Sequence, residues 1–235
     1  MTKIKQAIVL SAGLGTRMKE LTQDIPKPML LVDGVSLIQR HLQYLYKNNI
    51  HKVVINSFYK AEIFENFVKS LEITSKLDLH FSREDELLGT AGGVKNALKI
   101  LGNEPFFVIN SDALYIDDDA TNSSFIQLEN NWKDDSCILT LLAKKDRAFG
   151  YWGKGDFDLN HKNQITLNKE DGQFIHAGMQ LMNYKVFENY PEKILQFYPT
   201  IYSDFIAKGK LLGFIYQGKW LHIGDVKAYE TYKLD

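Results

Sequence analysis

The sequence has almost no cysteine. Its one thiol, Cys137, sits in the apolar run CILTLLA. An internal disulfide is therefore excluded, and a buried core position is expected for that thiol. No apolar run approaches the roughly 18 residues of a membrane helix. The start, MTKIKQAIVLSAG, carries two lysines but too short an apolar stretch for a secretory leader. These absences predict a cytoplasmic protein without membrane contact. Excess charge is also missing: 28 Lys and Arg balance 29 Asp and Glu. Such a chain offers no general attraction for a nucleic-acid backbone, so any phosphate-binding charge must be local. With five prolines and no repeat or low-complexity stretch, no linker divides the 235 residues. One domain over 1–235 is expected, with enough chain for a substantial core.

What is present is alternation. Short β-branched runs recur at QAIVLS (6–11), KVVINS (52–57), LDLHFS (77–82), FFVIN (106–110) and CILTLLA (137–143). Such runs suit strands buried on both faces. Helical spacing lies between them. Leu37, Ile38, Leu42, Leu45 and Tyr46 follow a capping Ser36; Ile63, Phe64, Phe67 and Leu71 mark a second helix; Val94, Ala97, Leu98 and Leu101 mark a third. The pattern predicts an α/β fold: a three-layer, Rossmann-like, mixed but mostly parallel sheet with helices on both faces. After about residue 145 the texture changes. FGYWGKGDFDLN and NQITLN read as a hairpin, FIHAGMQLM as a strand, and 192–207 as a helix. KLLGFIYQ and KWLHIGD read as late strands, and DVKAYETYK as a closing helix capped by Asp225. Residues 1–145 are expected to form a nucleotide-binding part and 146–235 a small β-rich lobe.

The first strand runs into LSAGLGTRMKELTQDIPKPML, residues 10–30. Ligands of open parallel sheets gather at the carboxyl ends of strands. Gly13 and Gly15 let backbone amides approach an anion, and Arg17 adds charge. Neither GxGxxG nor GxxxxGK[ST] is present, because residue 18 is methionine. Alone, the two glycines equally describe a tight turn. Pro26 and Pro28 fence Lys27, which predicts a stiff, extended arm holding one ammonium.

The order G-x-G-T-R followed by P-K-P resembles the signature of the sugar-1-phosphate nucleotidyltransferases, the nucleotide-diphosphosugar pyrophosphorylases. LLGTAGGV (87–94), NSD (110–112), GKGDF (153–157), HAGMQ (176–180) and WLHIGD (220–225) extend the resemblance over nearly the whole chain. It implies that an NTP, UTP or GTP, and a sugar 1-phosphate give an NDP-sugar and pyrophosphate. It implies that Ala12, Gly13, Leu14, Gly15 and Thr16 bind nucleotide with Gly89, Gly92 and Asn110, and that Arg17, Lys27 and Asp112 are catalytic. Asp112 then holds Mg²⁺, with Mn²⁺ or Co²⁺ as alternatives. By similarity the family places a second carboxylate where this chain has His222, so His222 or Asp225 is the further metal candidate. Thr90 is expected to cap the helix after the glycine loop, and Asp117, Asp118 and Asp119 to form a solvated loop. GKGDF resembles the N-acetylmuramate-1-phosphate uridylyltransferases, with Asp156 and Gly178 at the sugar. LGTAGGV equally resembles the mannose-1-phosphate guanylyltransferases. A glycosyltransferase and a non-catalytic nucleotide-sugar sensor remain as rivals, and monomer and homodimer stay open.

Overall fold

The computed structural model describes residues 3–119, 121–133, 137–168 and 170–234. Its strands are β1 (Gln6–Leu10), β2 (Leu31–Val32), β3 (Val35–Ser36), β4 (Lys52–Ser57), β5 (Asp78–Arg83), β6 (Phe106–Asn110) and β7 (Ala113–Ile116). They continue as β8 (Ile138–Lys144), β9 (Ala148–Phe149), β10 (Phe157–Leu159), β11 (Ile165–Leu167), β12 (Phe174–Met182), β13 (Leu211–Ile215) and β14 (Lys219–His222). The α-helices are α1 (Leu37–Lys47), α2 (Ala61–Ser70), α3 (Gly89–Leu101), α4 (Ser124–Asn131), α5 (Tyr202–Ala207) and α6 (Val226–Leu234).

The main sheet is mixed and runs β11-β10-β12-β6-β1-β4-β5, with β8 on β12 and β13 on β8. β6, β1, β4 and β5 are parallel, with Ala7 opposite both Val53 and Phe107. β12 lies antiparallel to β6 and to β8. Period-two alternation divides the core. Ala7 and Val9 face a cluster with Leu42 and Leu45 of α1, Phe64 of α2 and Phe125 of α4. Ile8, Val54, Phe106 and Val108 face the other side, against Val94 and Ala97 of α3 and Phe205 of α5. Helices therefore cover both faces, making three layers. A smaller sheet, β7-β14-β9, joins β14 to the strand that follows Asp112. Among the described residues, no helix is long and apolar enough to cross a membrane.

Several local expectations change. LDLHFS is the sheet edge and only half-buried, because among the described residues β5 pairs with β4 alone. Cys137 is partly buried, one residue before β8. The stretch 192–207 is helical only from Phe197, and α5 begins at Tyr202. Asp117 is no solvated loop residue: it accepts from Tyr44 Oη at 2.7 Å, Tyr216 Oη at 2.8 Å and Ser124 N at 2.9 Å. Ser36 caps α1 through Gln39 N, and Asp225 caps α6 through Ala228 N at 2.9 Å.

Candidate active site

The parallel strands β1, β4 and β6 end along one edge, and the loop after β1 lies there. Gly15 takes a left-handed φ of 68°, which a side chain would resist. Thr22 Oγ1 donates to Gly15 O at 3.0 Å and Met18 N donates to the same oxygen at 2.8 Å. The loop is thereby pinned from its far side. The amides of Gly13, Leu14 and Gly15 donate to no group among the described residues. Free amides at a bend suit an anion. Lys27 arrives from a different geometry than predicted. Lys27–Met29 is a short 3-10 turn, closed by Met29 N to Pro26 O at 2.9 Å and Leu30 N to Lys27 O at 3.0 Å. Pro28 is tolerated because a first turn does not use its missing N–H.

Loop and turn meet at Asp112, just beyond β6. Lys27 Nζ is 2.5 Å from Asp112 Oδ2, His222 Nε2 is 3.5 Å from it, and Arg17 Nη2 is 3.8 Å away. The Lys27, Asp112 and His222 side chains are only 12%, 15% and 16% exposed, whereas Arg17 is 63% exposed. Burial pushes the Asp112 carboxyl up, but the Lys27 charge and hydrogen bonding from His222 outweigh it. The carboxyl is held well below the usual carboxylate range. Ile223 N donates to Asp112 O at 2.8 Å, tying β14 to this corner. The His222 ring stacks on Trp220, with centroids 5.3 Å apart, and its Nδ1 is buried without a partner among the described residues. Asp225 is committed to its helix cap.

A cleft of about 370 Å³ opens here, lined by Ala12, Gly13, Gly15, Thr16, Arg17, Lys27, Asp112, Gly89 and Asn110 among others. Leu14 points away, to an outer surface depression beside Tyr59. A second cavity of about 570 Å³ is lined by Asp156, Asn168, His176, Gln180 and Tyr202. The two share Thr90 and Asn110 as a common wall.

The glycine loop before α3 behaves differently from its prediction. Thr90 lies inside α3 and caps nothing. The first amides of that helix are already taken: Leu88 N by Glu84 Oε2 at 3.0 Å and Thr90 N by Gln196 Oε1 at 3.1 Å. Ala91 N and Gly92 N both donate to Leu195 O. The amides of Leu88, Thr90, Ala91 and Gly92 are thus satisfied by protein groups. Gly92 does not line the cleft; a Cβ there would lie 2.5 Å from Lys193 O. Gly178 does not line the second cavity, because a Cβ there would meet Ala113 Cβ at 2.7 Å.

The sequence reading missed Asn56, Glu84 and Gln196 on the cleft wall. Asn56 accepts from Ser11 N at 2.6 Å and donates to Glu84 Oε1 at 2.8 Å. Burial raises the Glu84 carboxyl. Asn56 stands near the carboxyl end of β4, and the strand-end rule that found Asp112 reaches it too. Nothing local marks Gln196.

One cleft thus gathers loop amides and two cations at the ends of parallel strands, and it shares a wall with a second polar cavity. The family model for nucleotidyl transferases matches residues 6–235, and the chain belongs to this family, as a nucleotidyltransferase of the sugar-1-phosphate class serving nucleotide-sugar biosynthesis. The N-acetylmuramate alpha-1-phosphate uridylyltransferase of Caulobacter vibrioides is 29% identical over 233 residues, covering 95% of this chain and 93% of that protein. The mannose-1-phosphate guanyltransferase of Aspergillus fumigatus is 30% identical, covering 96% of this chain but 62% of that one. Among solved structures, HddC from Yersinia pseudotuberculosis complexed with GMP-PN superposes with a TM-score of 0.79 at 26% identity, over 99% of this chain and 100% of that one.

Proposed function

We propose that the chain joins UTP and N-acetylmuramate 1-phosphate, or a closely related hexose 1-phosphate, to give the UDP-sugar and pyrophosphate. The observation that carries the two-substrate reading is the wall at Asn110 and Thr90 shared by a cationic cleft and a second cavity. The sugar is supported by the match to the Caulobacter protein over 93% of its length.

An oxygen of the sugar phosphate attacks the α-phosphorus of the nucleotide. A new P–O bond forms as the bond to the β-phosphate oxygen breaks, and pyrophosphate leaves. Two anions must be held together, so positioning and charge neutralisation dominate. The amides of Gly13 and Gly15, with Arg17, hold the leaving phosphates. Lys27 lies between the cleft and Asp112 and neutralises the α-phosphate and the incoming phosphate. Asp156 faces the sugar in the second cavity.

The family typically uses Mg²⁺. Among the described residues, no group of three or more His, Cys, Asp or Glu side chains can hold a metal. Asp112 Oδ1 nevertheless makes no hydrogen bond there and is a hard oxygen donor. These residues fit an ion bound by Asp112, with His222 beside it, and otherwise by phosphate oxygens and water. Such an ion would supply charge neutralisation to the phosphates.

A second reading, GTP with mannose 1-phosphate, is favoured by the 30% identity to the Aspergillus protein. A matrix of five nucleoside triphosphates against N-acetylmuramate, N-acetylglucosamine, glucose and mannose 1-phosphates, read by pyrophosphate release, separates the two. Highest kcat/KM with UTP and N-acetylmuramate 1-phosphate is expected. Selective use of GTP with mannose 1-phosphate would replace the first reading with the second.

A further inference from the structure

His176, Tyr202 and Gln180 line the second cavity and form one hydrogen-bonded chain. The chain has a direction, and the backbone sets it. The pairing of β12 with β8 slips between His176 and Gln180, and Gly178 sits in that irregularity with a left-handed φ of 71°. The slip turns Gly178 N onto His176 Nδ1 at 3.1 Å. An N–H only donates, so Nδ1 must accept. Burial pushes the His176 pKa down to about 4, and the ring is neutral near pH 7. Its single proton is therefore on Nε2, which faces Tyr202 Oη at 3.2 Å. Tyr202 accepts that proton's bond and gives its own to Gln180 Oε1 at 2.8 Å.

The Gln180 oxygen is thus used and its amide orientation is fixed. Gln180 is 3% exposed, lines the cavity, and its Nε2 has no partner among the described residues. A donor that lines a cavity without a partner among the described residues suits an acceptor from outside. Across the same cavity Asp156 offers only acceptors, and Phe157, Leu167 and Phe197 supply apolar wall. A hydroxyl can accept from Gln180 and donate to Asp156, but it leaves the apolar wall uncovered. An acetamido group uses all three features, with a carbonyl oxygen, an N–H and a methyl in one plane.

Resting on the sugar subsite proposed above, we infer that Gln180 determines specificity by donating from Nε2 to the acetamido carbonyl of a 2-acetamido sugar 1-phosphate, with Gly178, His176 and Tyr202 as positioning residues. Substrates lacking the carbonyl leave the donor unpaired and are rejected.

The test is steady-state pyrophosphate release with two matched pairs. These are N-acetylmuramate 1-phosphate against its N-deacetylated counterpart, and N-acetylglucosamine 1-phosphate against glucose 1-phosphate. Gln180→Glu keeps the size and removes the donor. It should raise KM for the acetylated member by about tenfold or more while changing the other member less than twofold. Tyr202→Phe frees the amide and should give a smaller loss in the same direction. In wild-type protein, ¹⁵N NMR of the His176 ring should place the proton on Nε2, a readout independent of any variant's folding. A proton on Nδ1, or equal loss for both members of each pair, overturns the inference. Wild-type turnover of glucose 1-phosphate as efficient as that of N-acetylglucosamine 1-phosphate overturns the inference and leaves the reaction standing. Absence of pyrophosphate release with every sugar phosphate overturns both.

Discussion

Lys27 Nζ and Asp112 Oδ2 lie 2.5 Å apart, although 85 residues separate them in the chain. The cation proposed to meet phosphate and the carboxylate proposed to meet metal form one largely buried ion pair. A shielded pair of this kind is costly to break from one side, because the remaining charge stays partly buried.

Lys27→Ala and Arg17→Ala should each lower kcat for pyrophosphate release by about 100-fold or more, the scale of one lost electrostatic group. They should differ in stability. Lys27→Ala strands Asp112 and should cost about 3 kcal/mol in urea unfolding. Arg17→Ala, at an exposed side chain, should leave unfolding unchanged. Full activity in either variant would remove that residue from the site.

The depressed Asp112 carboxyl carries a pH signature. Its folded pKa lies below the unfolded value of about 3.9. Its contribution to stability is therefore complete above that value and is lost as pH falls toward the folded pKa. Urea midpoints of wild type and Asp112→Asn should differ most at pH 6–7, and the gap should narrow steadily as pH falls below about 4. A gap that stays constant with pH would show that Asp112 is not held charged by Lys27.

His222→Asp sets a second carboxylate beside Asp112. Without metal, like charges should lower the melting temperature. With Mg²⁺ the loss should reverse, and the Mg²⁺ concentration for half-maximal rate should fall. A melting temperature indifferent to Mg²⁺ would show that position 222 does not reach the ion.

Gly178→Ala forces a side chain into a left-handed backbone and against Ala113. The expected cost is about 1–3 kcal/mol, read by thermal unfolding. No change in stability would mean that the strand irregularity relaxes freely.

The layered sheet was legible because β1, β4 and β6 announce themselves as short β-branched runs, and α1 and α3 by their spacing. That Gly13, Gly15, Arg17 and Lys27 would meet in one cleft was legible because they are close in sequence and chemically distinctive. The Lys27 conformation was not, since a fence of prolines permits a 3-10 turn as well as an extended arm. The helix start at Thr90 was misread because its caps, Glu84, Leu195 and Gln196, include a segment over 100 residues away. The Tyr44, Asp117 and Tyr216 contacts are equally non-local, so the acidic run looked like solvent-facing chain. Gln180 carried no local signal; its role depends on a strand irregularity and on a tyrosine in another element.

β12 is threaded between β6 and β8, both of which precede it in the chain. A growing polypeptide that has finished β8 therefore holds two strands whose shared neighbour does not yet exist, each with an open hydrogen-bonding edge. The centre of the sheet closes only once residue 182 has left the ribosome. Until then the sheet is an unfinished wall, and its assembly waits on the segment that also lines the second cavity.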